Sequence, residues 1–346
     1  MVISKDEREH KFKKIIICCD GTGNEYGKNN TNVVDLYELL IRDDGQIAFY
    51  DPGVGTFDFL GRKLGRQVGI LLGKAFGIGL QQNIEDAYEY LMNRYQPGDQ
   101  LYLFGFSRGA YTVRALAGLL NKCGLLQKGS KNLIPYASRI YNTRGNEEIA
   151  QGFKDAYCHE CKPHFIGVWD TVAALGYFYG KRFFNAKLNH DVTYGYQAVA
   201  IDEKRKKFPV SLWNEAEKKD HQTIEQVWFA GVHSDVGGWY KKRDLSDIAL
   251  QWMLEKAEAQ GMRLKTGWKS TLEPKPKGVM HESRKGFWLL WPPVQREIPD
   301  GALIHQTVIG RKDHDDAKYS PKLPKNFTIV PWSGPTQLPS TEWDEN

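Results

Sequence analysis

Short, unbroken apolar runs that close in polar glycine turns alternate along this chain with stretches whose apolar residues recur at helical spacing. Lys14-Ile15-Ile16-Ile17-Cys18-Cys19 is the first such run, and it ends in Asp20-Gly21-Thr22-Gly23-Asn24. A run apolar at every position predicts a strand covered on both faces. Asn32 to Leu40 then follows a helical period, Gln46 to Tyr50 reads as a second strand closing in Asp51-Pro52-Gly53, and Ile84 to Tyr95 reads as a helix before Pro97-Gly98. Gln100 to Phe104 is the third strand. His164 to Trp169, ending in Asp170-Thr171-Val172, is the fourth, and Gln226 to Val232, ending in His233-Ser234-Asp235-Val236-Gly237-Gly238, is the fifth.

Strands alternating with helices predict an α/β fold, with a mostly parallel central sheet, helices on both faces, and ligands bound at the carboxyl ends of the strands. The 346 residues suit one large domain of this type, 1–346, with insertions. Residues 171–223 and the aromatic-rich stretch 261–346 show little periodicity and are expected to form a cap over the sheet edge. Lys63 to Leu80, with repeated glycines among apolar residues, is expected to be a connection packed on the core, with a lipid-contacting amphipathic element as the alternative.

The third strand leads into Gly105-Phe106-Ser107-Arg108-Gly109, and helical spacing resumes at Ala110. A serine at a sharp strand-to-helix turn needs neighbours without Cβ atoms, because strand and helix approach closely there. Ser107 is therefore the candidate nucleophile. Its hydroxyl needs a base, and the base needs a carboxylate to fix its tautomer. Asp170 and His233 lie at the next two strand ends, in the order Ser, acid, His, and 63 residues separate each from the one before. His281 and His305 are rival bases, with His305 the stronger. Asp235, two residues from His233, is expected to stabilise the turn. Oxyanion donors are expected from the backbone N–H of Arg108 and of Thr22, beside Asp20 in the first glycine turn.

Composition narrows the alternatives. A net charge of +5 with 26% charged residues is too small and dispersed to argue for nucleic acid. The charged amino terminus lacks a signal-peptide core, and no run approaches membrane-spanning length, so synthesis in the cytoplasm is expected, with signal-less export left open. Five cysteines, an odd number, argue against a disulfide framework. Cys158-His159-Glu160-Cys161 lacks the second pair of a zinc site and reads as a coincidental loop. The glycine turn at Asp20 has neither a P-loop ending nor a dinucleotide fingerprint, so no cofactor is expected.

Taken together, these motifs resemble a largely uncharacterised α/β-hydrolase-domain family that includes the catalytic domain of type VI secretion phospholipase effectors. The matching segments are Asp20 to Asn24, Asn30 to Val33, Gly53 to Thr56, Gly105 to Ala110, Val168 to Val172, Ala200 to Arg205, Gly231 to Gly238 and Ile304 to Val308. The resemblance implies lipid or phospholipid acyl-ester hydrolysis by a Ser-Asp-His triad falling on Ser107, Asp170 and His233. It leaves open transient membrane-surface contact, an immunity or secretion partner, and the oligomeric state. Two other classes remain: a metal-assisted hydrolase using Asp20, Asp170, Asp235 and His233, and a non-catalytic binding protein on the same scaffold.

Overall fold

A computed structural model of the chain describes residues 12–21, 27, 29–53, 66–172, 188–313 and 319–334, and for residues 66–78 and 287 it describes the backbone alone. The described residues contain ten strands: β1 (Lys14–Cys19), β2 (Gln46–Asp51), β3 (Gln100–Phe106), β4 (Leu125–Leu126), β5 (Cys158–His159), β6 (Pro163–Trp169), β7 (Tyr194–Ala200), β8 (Thr223–Phe229), β9 (Ala302–His305) and β10 (Phe327–Val330). Eight of them form one sheet in the order β10-β9-β8-β7-β6-β3-β1-β2, and β4 and β5 form a small antiparallel pair. Every neighbouring pair in the large sheet is parallel.

The helices are α1 (Asn32–Leu39), α2 (Arg66–Arg94), α3 (Arg108–Cys123), α4 (Ile134–Asn142), α5 (Glu147–Tyr157), α6 (His233–Gly237), α7 (Ser246–Ala259) and α8 (Gln306–Lys312). They explain the continuous apolar runs. Ile15, Ile17, Leu101, Leu103, Ile166 and Val168 face one core with α2 and α3, while Ile16, Cys18, Tyr102, Phe104, Phe165 and Trp169 face a second core with α1 and α7. Both faces of the central strands are therefore dry, and neither set of alternate positions is free to be polar.

The structure differs from the sequence pattern in where the sheet ends. The stretch 171–223, expected as cap, contains β7, the strand that separates β6 from β8. The stretch 261–346 contributes β9 and β10, which pack with Trp228 and Val199 in a third apolar cluster. The helix expected over Ile84 to Tyr95 is the end of the longer α2. Of the element Lys63 to Leu80, only the helical backbone from Arg66 and the side chains of residues 79 and 80 are described, so the alternative of lipid contact falls on side chains outside the described residues.

Strand order reverses at β1, which has β2 on one side and β3 on the other. In parallel sheets, a crevice opens at the carboxyl end of such a reversal. Ser107 stands at that end of β3.

Candidate active site

Ser107 is the N-cap of α3, but its side chain caps no helix amide. Its backbone is left-handed, with φ 58°, and its N–H is tied to the Trp169 carbonyl of the adjacent strand at 3.0 Å. The turn can be this tight only because two positions lack side chains. A Cβ on Gly105 would lie 2.5 Å from the Gly109 carbonyl oxygen, and a Cβ on Gly109 would lie 2.0 Å from that of Cys19. Both obstacles are backbone, so neither could swing aside.

The Ser107 hydroxyl meets His233 Nε2 at 2.8 Å, and His233 Nδ1 meets Asp170 Oδ2 at 2.5 Å. An ionised carboxylate can only accept, so Nδ1 carries the ring proton and Nε2 is left to accept from the hydroxyl. His233 opens α6, one turn beyond β8, and is wedged between Phe106 and Phe208 at ring-centroid distances of 4.6 and 5.2 Å. Asp170 follows β6 and is also left-handed, at φ 41°. All three side chains are buried: Ser107 is 7% exposed, His233 4% and Asp170 0%.

Two groups that the sequence pattern did not single out hold this chain of hydrogen bonds. Arg296 approaches Asp170 with both terminal nitrogens, Nη1 to Oδ1 at 2.5 Å and Nη2 to Oδ2 at 3.0 Å, while also donating to the carbonyls of Ala200 and Phe208. The Ala200 N–H donates to Asp170 Oδ1 at 2.9 Å. Glu203 accepts from the His233 backbone N–H at 3.3 Å, from Ser283 Oγ and from Arg205, which grips both of its oxygens. Glu203 and Arg205 fall within a segment that carries the family resemblance, although no role attached to them. Arg296 lies among irregular residues, and nothing in its local spacing marks it.

Burial works to raise the Asp170 carboxyl, but the Arg296 charge and the His233 hydrogen bond outweigh it and hold the group well below the usual carboxylate range. For His233, burial is the largest influence and favours the neutral ring. The hydrogen bond and charge of Asp170 oppose it, and the net shift is downward. The imidazole is thus poised as an acceptor at neutral pH.

The arrangement coincides with a family match. The model of the T6SS phospholipase effector Tle1-like catalytic domain matches residues 13–256. The chain belongs to that family. It is also 36% identical, over 227 residues, to the uncharacterized protein YEL023C of Saccharomyces cerevisiae; the match takes in 60% of this chain and 33% of the yeast protein, so the chain spans about a third of that relative's length. Solved structures that resemble it include these two. One is an uncharacterized protein from Pseudomonas aeruginosa, with TM-score 0.43 and 20% identity, covering 76% of this chain and 48% of that one. The other is the Tle1 effector bound to the VgrG spike of the type 6 secretion system, with TM-score 0.39 and 17% identity, covering 66% and 51%.

The remaining candidates take other positions. Asp20 directly follows β1 and accepts from the Gly21 N–H at 2.6 Å, the Thr31 hydroxyl at 2.6 Å and the Tyr50 hydroxyl at 3.1 Å, and its backbone carbonyl lies beside Gly109. Thr22 lies outside the described residues. Arg108 is the first residue of α3, and burial pulls its guanidinium down to about 10. Asp235 accepts from the Val232 N–H and pairs with His281 Nδ1 at 2.6 Å. His305 ends β9, stacks on Phe229 and pairs with Thr307 Oγ1 at 2.8 Å. Neither rival histidine makes the contact with Ser107 that His233 makes.

Of the four side chains of the metal-assisted reading, Asp170 and His233 bond to each other, Asp20 to Thr31 and Tyr50, and Asp235 to His281. Among the described residues, no three His, Cys, Asp or Glu groups converge as metal ligands. Cys158 and His159 form β5, Cys161 is buried, and His159 stacks on Tyr95, so that motif is packing. All five cysteines are free thiols. Among the described residues no helix is long and apolar enough to cross a membrane.

Proposed function

We propose that this chain is a serine hydrolase that cleaves acyl esters of lipids, with phospholipids as the substrate class, through an acyl-enzyme on Ser107. The observation that carries the reading is the unbroken hydrogen-bonded sequence Ser107–His233–Asp170 at the reversal point of the sheet. Membership in a phospholipase effector family supplies the lipid.

His233 Nε2 takes the hydroxyl proton as Ser107 Oγ attacks the acyl carbon. The positive charge that develops on the ring faces Asp170, already ionised and fixed by Arg296 and the Ala200 N–H. The carbonyl oxygen becomes an oxyanion, for which we assign the backbone N–H groups of Arg108 and Thr22 as donors. Arg108 opens α3, and the first amides of a helix point outward along its axis with a partial positive charge. The tetrahedral adduct collapses as His233 returns its proton to the departing alcohol oxygen of the lipid. Water then attacks the acyl-serine, with His233 again taking the proton, and releases the fatty acid and the free serine.

A fluorophosphonate probe tests the nucleophile. It is expected to label the wild type and not Ser107→Ala, with hydrolysis of a panel of p-nitrophenyl esters and phospholipids lost in the same variant. A fully active protein that takes no label would overturn the triad. An effector role would add export without a cleaved signal and a secretion or immunity partner, as the effector on the VgrG spike has a secretion partner.

A further inference from the structure

The segment that carries Arg296 to the site also carries an apolar surface. Gly286–Leu290 forms a short helical turn, followed by Trp291-Pro292-Pro293-Val294. Leu289 is 57% exposed, Leu290 73% and Val294 45%. Single exposed leucines are ordinary, but three large aliphatic side chains with two exposed prolines in one loop make a patch.

The loop is braced. Arg284 donates to the Trp291 carbonyl at 3.1 and 2.7 Å and to that of Leu289 at 3.3 Å, and the Val294 N–H donates to the Lys204 carbonyl at 3.0 Å. Trp288 packs edge-on against Phe208, which packs edge-on against His233. The leucines are therefore held outward from a platform one aromatic ring away from the site's base.

Charge identifies the occupant. Val294 bonds to the backbone of Lys204, which with Lys206 is exposed, and Lys207 Nζ lies 6.0 Å from the Trp291 ring centre. Lys285, at the start of the turn, is exposed too. Among the described residues the nearby acids are Glu203, occupied by Arg205, and Glu282, which accepts from the Arg284 N–H, with Glu297 exposed beyond the patch. Aliphatic tips ringed by lysines and tryptophans match the polarity of a bilayer surface, where acyl chains meet anionic headgroups.

We infer that Leu289, Leu290 and Val294, with Lys204, Lys206 and Lys285 around them, dock the protein on the anionic surface of a phospholipid bilayer and present the Ser107 site to it. Its purpose rests on the ester-hydrolase reading above, but its test does not. The test uses full-length Ser107→Ala protein, so no lipid is consumed, and co-sedimentation with vesicles of equal parts phosphatidylglycerol and phosphatidylcholine or of phosphatidylcholine alone. Binding is expected to favour the anionic vesicles, to fall by about tenfold or more in Leu289→Ser/Leu290→Ser, and to fall similarly in Lys204→Glu/Lys206→Glu. Far-UV circular dichroism and the thermal midpoint should stay at the parent value, since all four side chains are exposed.

Absence of vesicle binding, or binding unchanged in both variants, would overturn the proposal. So would a leucine variant that shifts a dimer to monomer while keeping its vesicle affinity, which would assign the patch to a second copy of the chain. Vesicle binding that behaves as expected in a protein that fails to react with the fluorophosphonate would overturn the hydrolase reading and leave the surface standing.

Discussion

Arg296 grips Asp170 through both terminal guanidinium nitrogens, and the same carboxylate receives His233 Nδ1. Asp170 thus answers to two cations, one permanent and one that would exist only while His233 holds a proton. The terminal nitrogens of the permanent partner also donate to the Ala200 and Phe208 carbonyls, which offsets part of the cost of burying it, while its buried Nε finds no acceptor among the described residues.

Removing that partner should hurt both stability and catalysis. Arg296→Met leaves a buried carboxylate with one counter-charge fewer, and a loss of about 3–5 kcal/mol is expected at neutral pH, read as a lower unfolding midpoint. Because Asp170 is held below its ordinary value, its contribution is fully present above the unfolded carboxylate range and is lost progressively as the pH falls from that range toward the lower folded value. The gap between wild type and variant should therefore be widest at neutral pH and narrow below about pH 4. Turnover should fall more than substrate affinity, and Arg296→Lys should recover part of the stability through charge, but less of the turnover, which depends on the paired geometry.

The acid limb of kcat/KM should lie below the ordinary imidazole value of about 6.5. Burial biases His233 toward the neutral ring despite Asp170, so the base remains available at pH values where a free imidazole would be half protonated. In Asp170→Asn the ring loses the groups that raise its value and also the anchor for its tautomer, so the limb should move further down while the plateau falls by several orders of magnitude. A limb above 6.5 in the wild type would contradict the burial argument.

Gly109→Ala should be more damaging than its one added methyl group suggests. The new carbon would overlap the Cys19 carbonyl, so β1 and α3 would have to separate, at a cost on the order of 3 kcal/mol. Denaturant unfolding would measure the loss. Since the shift displaces the elbow, activity should vanish even at temperatures where the variant remains folded.

His305 predicts a pH dependence of stability that has no counterpart in activity. Burial drives its ring down to about 3, so between about pH 6.5 and 3 the unfolded chain binds a proton that the folded chain refuses. Stability should fall with decreasing pH across that window, with a slope approaching about 1.4 kcal/mol per pH unit from this residue. His305→Phe, which can keep the stacking on Phe229 but cannot titrate, should flatten the curve and leave the acid limb of kcat/KM in place.

What the sequence made legible follows the range over which each feature is encoded. β1, β3 and β6 are buried on both faces, so their apolar runs announce them. The elbow is legible because its residues are contiguous, although only Gly105 is set by neighbouring backbone, that of Gly109, while Gly109 is set by the Cys19 carbonyl of β1. β7 escaped notice because Tyr194-Gly195-Tyr196-Gln197-Ala198-Val199-Ala200 carries small and polar residues, with Gln197 buried against Thr171 and Gln226 instead of presenting an apolar side chain. β9 and β10 are four residues each, too short for a period to show. Arg296 and Glu203 act across 126 and 30 residues on Asp170 and His233, and only the folded chain brings them there.

The family match ends at residue 256, yet β9, β10 and Arg296 lie beyond it. The sheet of this protein is therefore not coextensive with its most recognisable stretch. In any exchange of parts between relatives, whether by recombination or at the bench, the piece that travels intact would have to reach past Val330. A shorter graft would carry the serine but leave behind the cation that steadies its acid.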